Sequence, residues 1–179
     1  MKPIPGMKEL LEDLSKESSV ALVLVTGRSK DTMEISLDYL GVSPYFKKTY
    51  WGSEEGINKD QNLEKVASDF KVSKEEILYI GDTLADIGTM KKREIDLLSG
   101  GYCDNEKDQA VLKENNPNGY IGSVPELRDR LFSIIKEKED DSNSSALSDN
   151  GSENEGGSDT AEKADATAVD VNDPVSSEE

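Results

Sequence analysis

Histidine is absent from this 179-residue chain, and cysteine occurs once, at Cys103. The first absence removes Ser-His-Asp and Cys-His nucleophilic chemistry and histidine-ligated zinc from consideration. The second forbids an internal disulfide and leaves Cys103 as a packed or surface thiol. Long apolar runs are missing too. The longest, Val20 to Val25, is far too short to span a bilayer, and the first residues lack the apolar stretch of a signal peptide. The expectation that follows is a cytoplasmic protein with no membrane contact. Lys47-Lys48 and Lys91-Lys92-Arg93 are the main basic clusters. Against a net charge of −17 they are too small for a nucleic-acid footprint. Asp104-Asn105-Glu106-Lys107-Asp108 lacks the glycine of an EF-hand loop, and no internal repeat is found.

The acidity is unevenly placed. Residues 139–179 hold 13 Asp or Glu and one Lys, which is −12 of the −17. They contain no Phe, Trp or Tyr and are dense in Ser, Asn and Gly. Such a segment cannot bury enough apolar area to offset the entropy of ordering it, so a disordered tail over 139–179 is expected. Its charge suits a solubilising appendage or a contact with a basic protein partner. Residues 1–138 are left as one domain with a modest core.

Within that domain helical and strand-like patterns alternate. Helix signals fall at about 6–17, 30–40, 60–70, 84–93, 106–115 and 124–138, with β-prone runs between them at 20–25, 48–51, 77–80, 95–98 and 119–122. This predicts an α/β fold with a doubly wound, Rossmann-like parallel sheet and right-handed crossovers. In such sheets ligands gather beyond the carboxyl ends of the strands.

Three of those ends carry chemistry. The run Ile77-Leu-Tyr-Ile80 stops at Gly81-Asp82, and a second carboxylate, Asp86, follows four residues later. The two are hard oxygen ligands of the type Mg²⁺ takes. Taken alone, a Gly-Asp after a strand reads more simply as a helix cap. Val20 to Val25 closes on Thr26-Gly27, a hydroxyl and a bare amide suited to a phosphoryl oxygen. Lys59 opens an amphipathic segment containing Leu63, Val66 and Phe70, where its charge opposes the helix dipole. A task beside a phosphate would justify that placement.

The ordered set of strand and Thr26, then Lys59, then strand and Gly81-Asp82 with Asp86, resembles the second, third and fourth motifs of the haloacid-dehalogenase (HAD) superfamily. The likeness covers residues 3–135. Pro5-Gly6-Met-Lys-Glu-Leu-Leu-Glu-Asp-Leu14 and Ser123-Val-Pro-Glu-Leu127 are similar to flanking helices of phosphoglycolate-phosphatase-like members. The resemblance implies Mg²⁺-dependent hydrolysis of a small phosphorylated metabolite. In that reading Asp82 and Asp86 serve the metal, Thr26 and Gly27 bind phosphate, and Lys59 neutralises charge.

One part of the pattern is not found. The family's first motif, Asp-x-Asp-x-Thr at the tip of a first strand, supplies the attacking aspartate. Residues 1–25 contain no match, and Ala168-Val-Asp-Val-Asn-Asp173 has the wrong pattern. The cap segment is not found either. In the family the first strand is central, so the expectation is a sheet missing its middle. The strands at 20–25 and 48–51 would lie on one side, and those at 77–80 and 95–98 on the other. The sequence therefore fits a fragment of a phosphatase-like hydrolase without its nucleophile. The alternative is a catalytically inactive HAD-like module that acts through its acidic tail.

Overall fold

A computed structural model of the chain describes residues 3–52, 59–102 and 106–148, with side chains to residue 141. The expected alternation is present: α1 (Met7–Lys16), β1 (Val23–Val25), α2 (Lys30–Leu40), β2 (Lys48–Tyr50), α3 (Lys59–Phe70), β3 (Leu78–Gly81), α4 (Leu84–Arg93), β4 (Asp96–Gly100), α5 (Glu106–Asn115), β5 (Tyr120–Ile121) and α6 (Val124–Ser148). Short 3-10 turns at Ser43–Tyr45 and Lys74–Glu76 precede β2 and β3. Local chemistry sets the ends of these elements. Gly41 stops α2 in the left-handed conformation, returning its N–H to the carbonyls of Leu37 and Asp38. Ser73 and Glu76 form a reciprocal capping box. Lys91, Lys92 and Arg93 sit in the last turn of α4, where the dipole favours cations.

The strands form two parallel sheets rather than one. Among the described residues β1 pairs only with β2, and β3 pairs with β4, which pairs with β5. The break falls where the resemblance implies a central strand, and among the described residues no strand closes the sheet across it. β1 is also shorter than the apolar run 20–25 that contains it. A strand with one neighbour keeps only the residues that neighbour pairs, here 23–25 against 48–50.

Alternate strand residues turn to opposite faces. Leu78 and Leu98 join Leu10 and Leu14 of α1 and Leu127 and Leu131 of α6 in one apolar cluster. Ile77, Tyr79 and Leu97 instead meet Leu63 of α3 and Met90 of α4. A third cluster gathers Met33 and Leu37 of α2 with Leu24 of β1 and Leu11 of α1. α1 and α2 thus cover one face of the strands while α3 and α4 cover the other.

α6 runs to Ser148, ten residues beyond the expected domain end at 138. Residues 139–148 are mostly polar but contain no Gly or Pro, so nothing stops a helix already under way. Residues up to Ser142 form one compact unit; of the second, 143–179, only the helical residues to Ser148 are described. The rest of the expected disordered tail, 149–179, lies outside the described residues, as do Cys103 and Asp104. Among the described residues no helix is long and apolar enough to cross a membrane.

Candidate active site

The carboxyl end of β3 builds a tightly bonded corner. Thr83 is the N-cap of α4: its hydroxyl accepts the Asp86 N–H at 3.1 Å and donates to Asp86 Oδ2 at 2.6 Å. Asp86 Oδ1 accepts from Lys59 Nζ at 2.7 Å and from the Tyr79 hydroxyl at 3.2 Å. Both carboxylate oxygens are therefore engaged, and Asp86 is only 2% exposed. Gly81 makes room for it, since a Cβ at residue 81 would stand 2.7 Å from Asp86 Cβ. Lys59 keeps 35% of its side chain in solvent.

The charges of this corner hold one another. Burial would push the Asp86 carboxyl up, but the bonds from Lys59 and Thr83 outweigh it and hold the group below its ordinary value. Burial would likewise lower the Lys59 ammonium, and the bond to Asp86 reverses that to a net rise. Tyr79 is raised by burial and by the adjacent Asp86 charge, so its phenol remains a donor.

Asp82 differs in every respect. It lies exposed between β3 and α4, and among the described residues no hydrogen bond or ion pair to its carboxylate is found. The helix-cap reading of Asp82 does not hold, because Thr83 occupies the cap. Asp82 is an unengaged anion at the strand end. No group of three or more acidic, histidine or cysteine side chains able to hold a metal occurs among the described residues.

Thr26 and Gly27 stand at the end of the other sheet. The Thr26 N–H bonds the Tyr50 carbonyl at 2.9 Å, fixing the tip to β2, and the Thr26 hydroxyl accepts the Arg28 N–H at 3.3 Å. A Cβ at Gly27 would meet nothing within 4 Å. The tip is open. Its link to the Lys59 corner runs through α3, whose buried Asn62 donates to the Trp51 carbonyl at 2.9 Å. The ends of β2 and β3 thus lie at the same, amino-terminal end of α3. Trp51 itself packs under Lys30, 5.5 Å from the ring centre.

Four residues of this region were not singled out from sequence: Tyr79, Thr83, Asn62 and Tyr102. Thr83-x-x-Asp86 has the spacing of a capping pair, a legible signal for two of the bonds. Tyr79 and Asn62 carry no comparable signal. The Tyr102 hydroxyl is buried without a partner, and its titration is pushed up by burial and by the charges of Asp82 and Glu126.

Comparison with known proteins fits this geometry. The family model for haloacid dehalogenase-like hydrolases matches residues 1–99. A haloacid dehalogenase-like family hydrolase from Streptococcus pneumoniae superposes with a TM-score of 0.59 at 26% identity, covering 72% of this chain and 58% of its own. A predicted phosphatase from Clostridium acetobutylicum gives 0.62 at 20%, with 72% and 59% covered. A predicted phosphoglycolate phosphatase from Haemophilus somnus gives 0.60 at 16%, with 75% and 57% covered. The chain thus spans less than three fifths of the length of these three structures. No curated protein matches it by sequence. With a matched region that takes in Thr26, Lys59, Asp82 and Asp86 in order, on a fold shared with these structures, the chain belongs to the haloacid dehalogenase-like hydrolase family.

Proposed function

We propose that this chain carries the metal- and phosphate-binding part of a Mg²⁺-dependent phosphomonoesterase of the phosphoglycolate-phosphatase type, acting on a small phosphorylated metabolite. The observation that carries the reading is the division of labour between the two aspartates. Asp86 is spent inside the protein, holding Lys59 through a 2.7 Å bond, while Asp82 faces solvent with its carboxylate unengaged.

An exposed single carboxylate fits Mg²⁺, which keeps several waters and takes one or two protein oxygens. Asp82 would hold the ion, whose charge would offset that of the phosphoryl oxygens. The Thr26 hydroxyl and Gly27 amide would donate to one phosphoryl oxygen. Lys59, steered by Asp86, would place its ammonium against the charge that builds during transfer. Positioning and charge stabilisation are most of what phosphoryl transfer asks of a protein. The attacking carboxylate is not assigned to any described residue. By itself the chain is therefore expected to bind Mg²⁺ weakly and to leave p-nitrophenyl phosphate intact.

Titration of Mg²⁺ against the chain and its Asp82→Asn variant tests this. A markedly weaker response in the variant is expected. Equal responses would overturn the metal assignment. Turnover by the unaided chain, abolished by Asp82→Asn, would mean that a carboxylate of this chain performs the attack.

A further inference from the structure

β4 ends in Gly100-Gly101, and each glycine carries a tyrosine ring where a side chain would otherwise stand. Gly100 pairs with Ile121 of β5, and the Gly101 N–H bonds the Ile121 carbonyl at 2.8 Å, so the two glycines are held by the sheet. A Cβ at Gly100 would stand 2.2 Å from the Tyr102 ring, and one at Gly101 would stand 2.4 Å from the Tyr120 hydroxyl. The Tyr102 ring therefore lies directly on the Gly100 backbone, in a seat that any other residue at 100 would fill. It also packs against the cluster of Leu10, Leu98, Ile121 and Leu127.

The strand register brings this ring to Asp82. Ile80 pairs with Leu98 and Gly81 with Ser99, so the next step puts Asp82 level with Gly100. Alternate residues share a face, so Asp82 continues the row of Leu78 and Ile80 while Gly100 continues that of Leu98. Leu78 and Leu98 both belong to the cluster against which Tyr102 packs. Tyr102 and Asp82 are thus neighbours on the face covered by α1 and α6, whereas Asp86, Lys59 and Tyr79 build their corner on the face of α3 and α4. The charges of Asp82 and Glu126 both act on the Tyr102 phenol.

The hydroxyl is the anomaly. It is buried and has no hydrogen-bond partner, although phenylalanine would fill the same seat. Unpaired buried polar groups are costly, so folded proteins keep few, and those kept mark strain, a function or a bound partner. Of the two carboxylates nearby, Glu126 is engaged, its Oε2 accepting the Gly122 N–H at 2.8 Å. Asp82 is not, among the described residues. A carboxylate that binds a cation through one oxygen keeps the other for a donor in the protein, and such donors orient the ligand and strengthen its hold. We propose that Tyr102 is the positioning residue for Asp82, its hydroxyl donating to one carboxylate oxygen while the other takes the divalent cation. The missing partner of the hydroxyl then arrives when the cation draws Asp82 out of solvent. This role rests on the assignment of Asp82 to the metal proposed above, and adds the group that orients it.

The test is Mg²⁺ titration of the full chain, followed by tyrosine difference absorption, beside Tyr102→Phe, Asp82→Asn, Glu126→Gln and the double variant at 82 and 102. Tyr102→Phe is expected to melt no lower than the parent yet to bind Mg²⁺ about tenfold more weakly, the low end for removing the hydrogen-bond partner of a metal ligand. Mg²⁺ should red-shift a tyrosine band in the parent, as a phenol does on donating to a carboxylate, and not in Tyr102→Phe. Glu126→Gln, whose amide oxygen still accepts from Gly122, should match the parent. In the Asp82→Asn background Tyr102→Phe should add less than about twofold, because it acts through that carboxylate. Equal affinity in the parent and Tyr102→Phe, a difference band that survives the substitution, or additive losses in the double variant would each overturn the positioning role. A melt well below the parent would also overturn it, by showing the hydroxyl to be paired within the fold. A loss in Glu126→Gln as large as that in Tyr102→Phe would overturn Asp82 as the acceptor. The two readings separate: Asp82→Asn weakened with Tyr102→Phe unchanged refutes Tyr102 alone, whereas Asp82→Asn equal to the parent removes the metal assignment and the role of Tyr102 with it.

Discussion

The corner at the end of β3 and the tip at the end of β1 belong to one candidate site, yet they are built on opposite terms. At the first, the buried Asp86 carboxylate accepts from Lys59, Tyr79 and Thr83, and its N–H donates back to the Thr83 hydroxyl. At the second, Thr26 has one 3.3 Å contact to its hydroxyl and Gly27 faces open space. The corner positions its lysine with its own residues. The tip keeps its donors unspent. For the anion binding proposed above, the first supplies a charge held in place and the second supplies donors left free for the ligand.

The contrast is most directly broken by removing a carboxylate from the corner and a hydroxyl from the tip. Asp86→Ala should destabilise the chain by roughly 2–3 kcal/mol, the low end for breaking a buried pair because Lys59 keeps partial hydration. Thr26→Val should stay within about 0.5 kcal/mol, as a substitution away from any buried network does. Urea unfolding of both variants checks this. Similar losses would mean that the tip is bonded into the fold as firmly as the corner.

Glycine replacements sharpen the same comparison. Gly81→Ala forces a methyl against Asp86 Cβ at 2.7 Å and should cost about 1–3 kcal/mol, whereas Gly27→Ala meets nothing within 4 Å and should be nearly neutral in stability. Thermal melts distinguish them.

A third expectation concerns acid. Asp86 is held below its ordinary value in the folded chain, so its stabilisation is complete above the usual carboxylate range and is lost as pH falls through its depressed value. Lys59, raised, gives stability that persists below its ordinary value and fades only as pH climbs past the raised one. The urea midpoint should therefore drop on acidification, and Asp86→Asn should flatten that limb. An unaltered slope in the variant would assign acid sensitivity to the surface pairs of Asp13, Asp60 and Asp69. The smallest effect is expected at Tyr102→Phe. Deleting a buried hydroxyl that has no partner should be neutral or stabilising by up to about 1 kcal/mol.

Much of the fold was legible because apolar runs and glycine stops change period cleanly along the chain. α2, α4 and α5 begin and end at the expected residues. The sheet break was legible only through the family comparison, since periodicity identifies strands but not their neighbours. Composition shifts at Glu139 whereas a helix responds to breakers, so α6 continues to Ser148, and the next glycine is Gly151. At the site, Gly81-Asp82-x-x-x-Asp86 announced two carboxylates without saying which would be buried. That depends on Lys59, 27 residues before Asp86, and on Tyr79, contacts that exist only after the sheet and α3 come together.

α1 places leucines in the apolar clusters of both sheets, and α3 packs on β1 while its Leu63 lies with β3 and β4, which has a consequence for how the chain comes apart. β1–α2–β2 and β3–α4–β4 are each closed by pairing between strands close in sequence, and neither borrows a ladder bond from the other. Each is a candidate cooperative opening unit, coupled to its neighbour through helix packing, ion pairs and side-chain hydrogen bonds such as Tyr45 to Glu12 and Asn62 to the Trp51 carbonyl. Amide exchange under mild denaturant should then resolve two steps, the two-stranded unit opening before the three-stranded one.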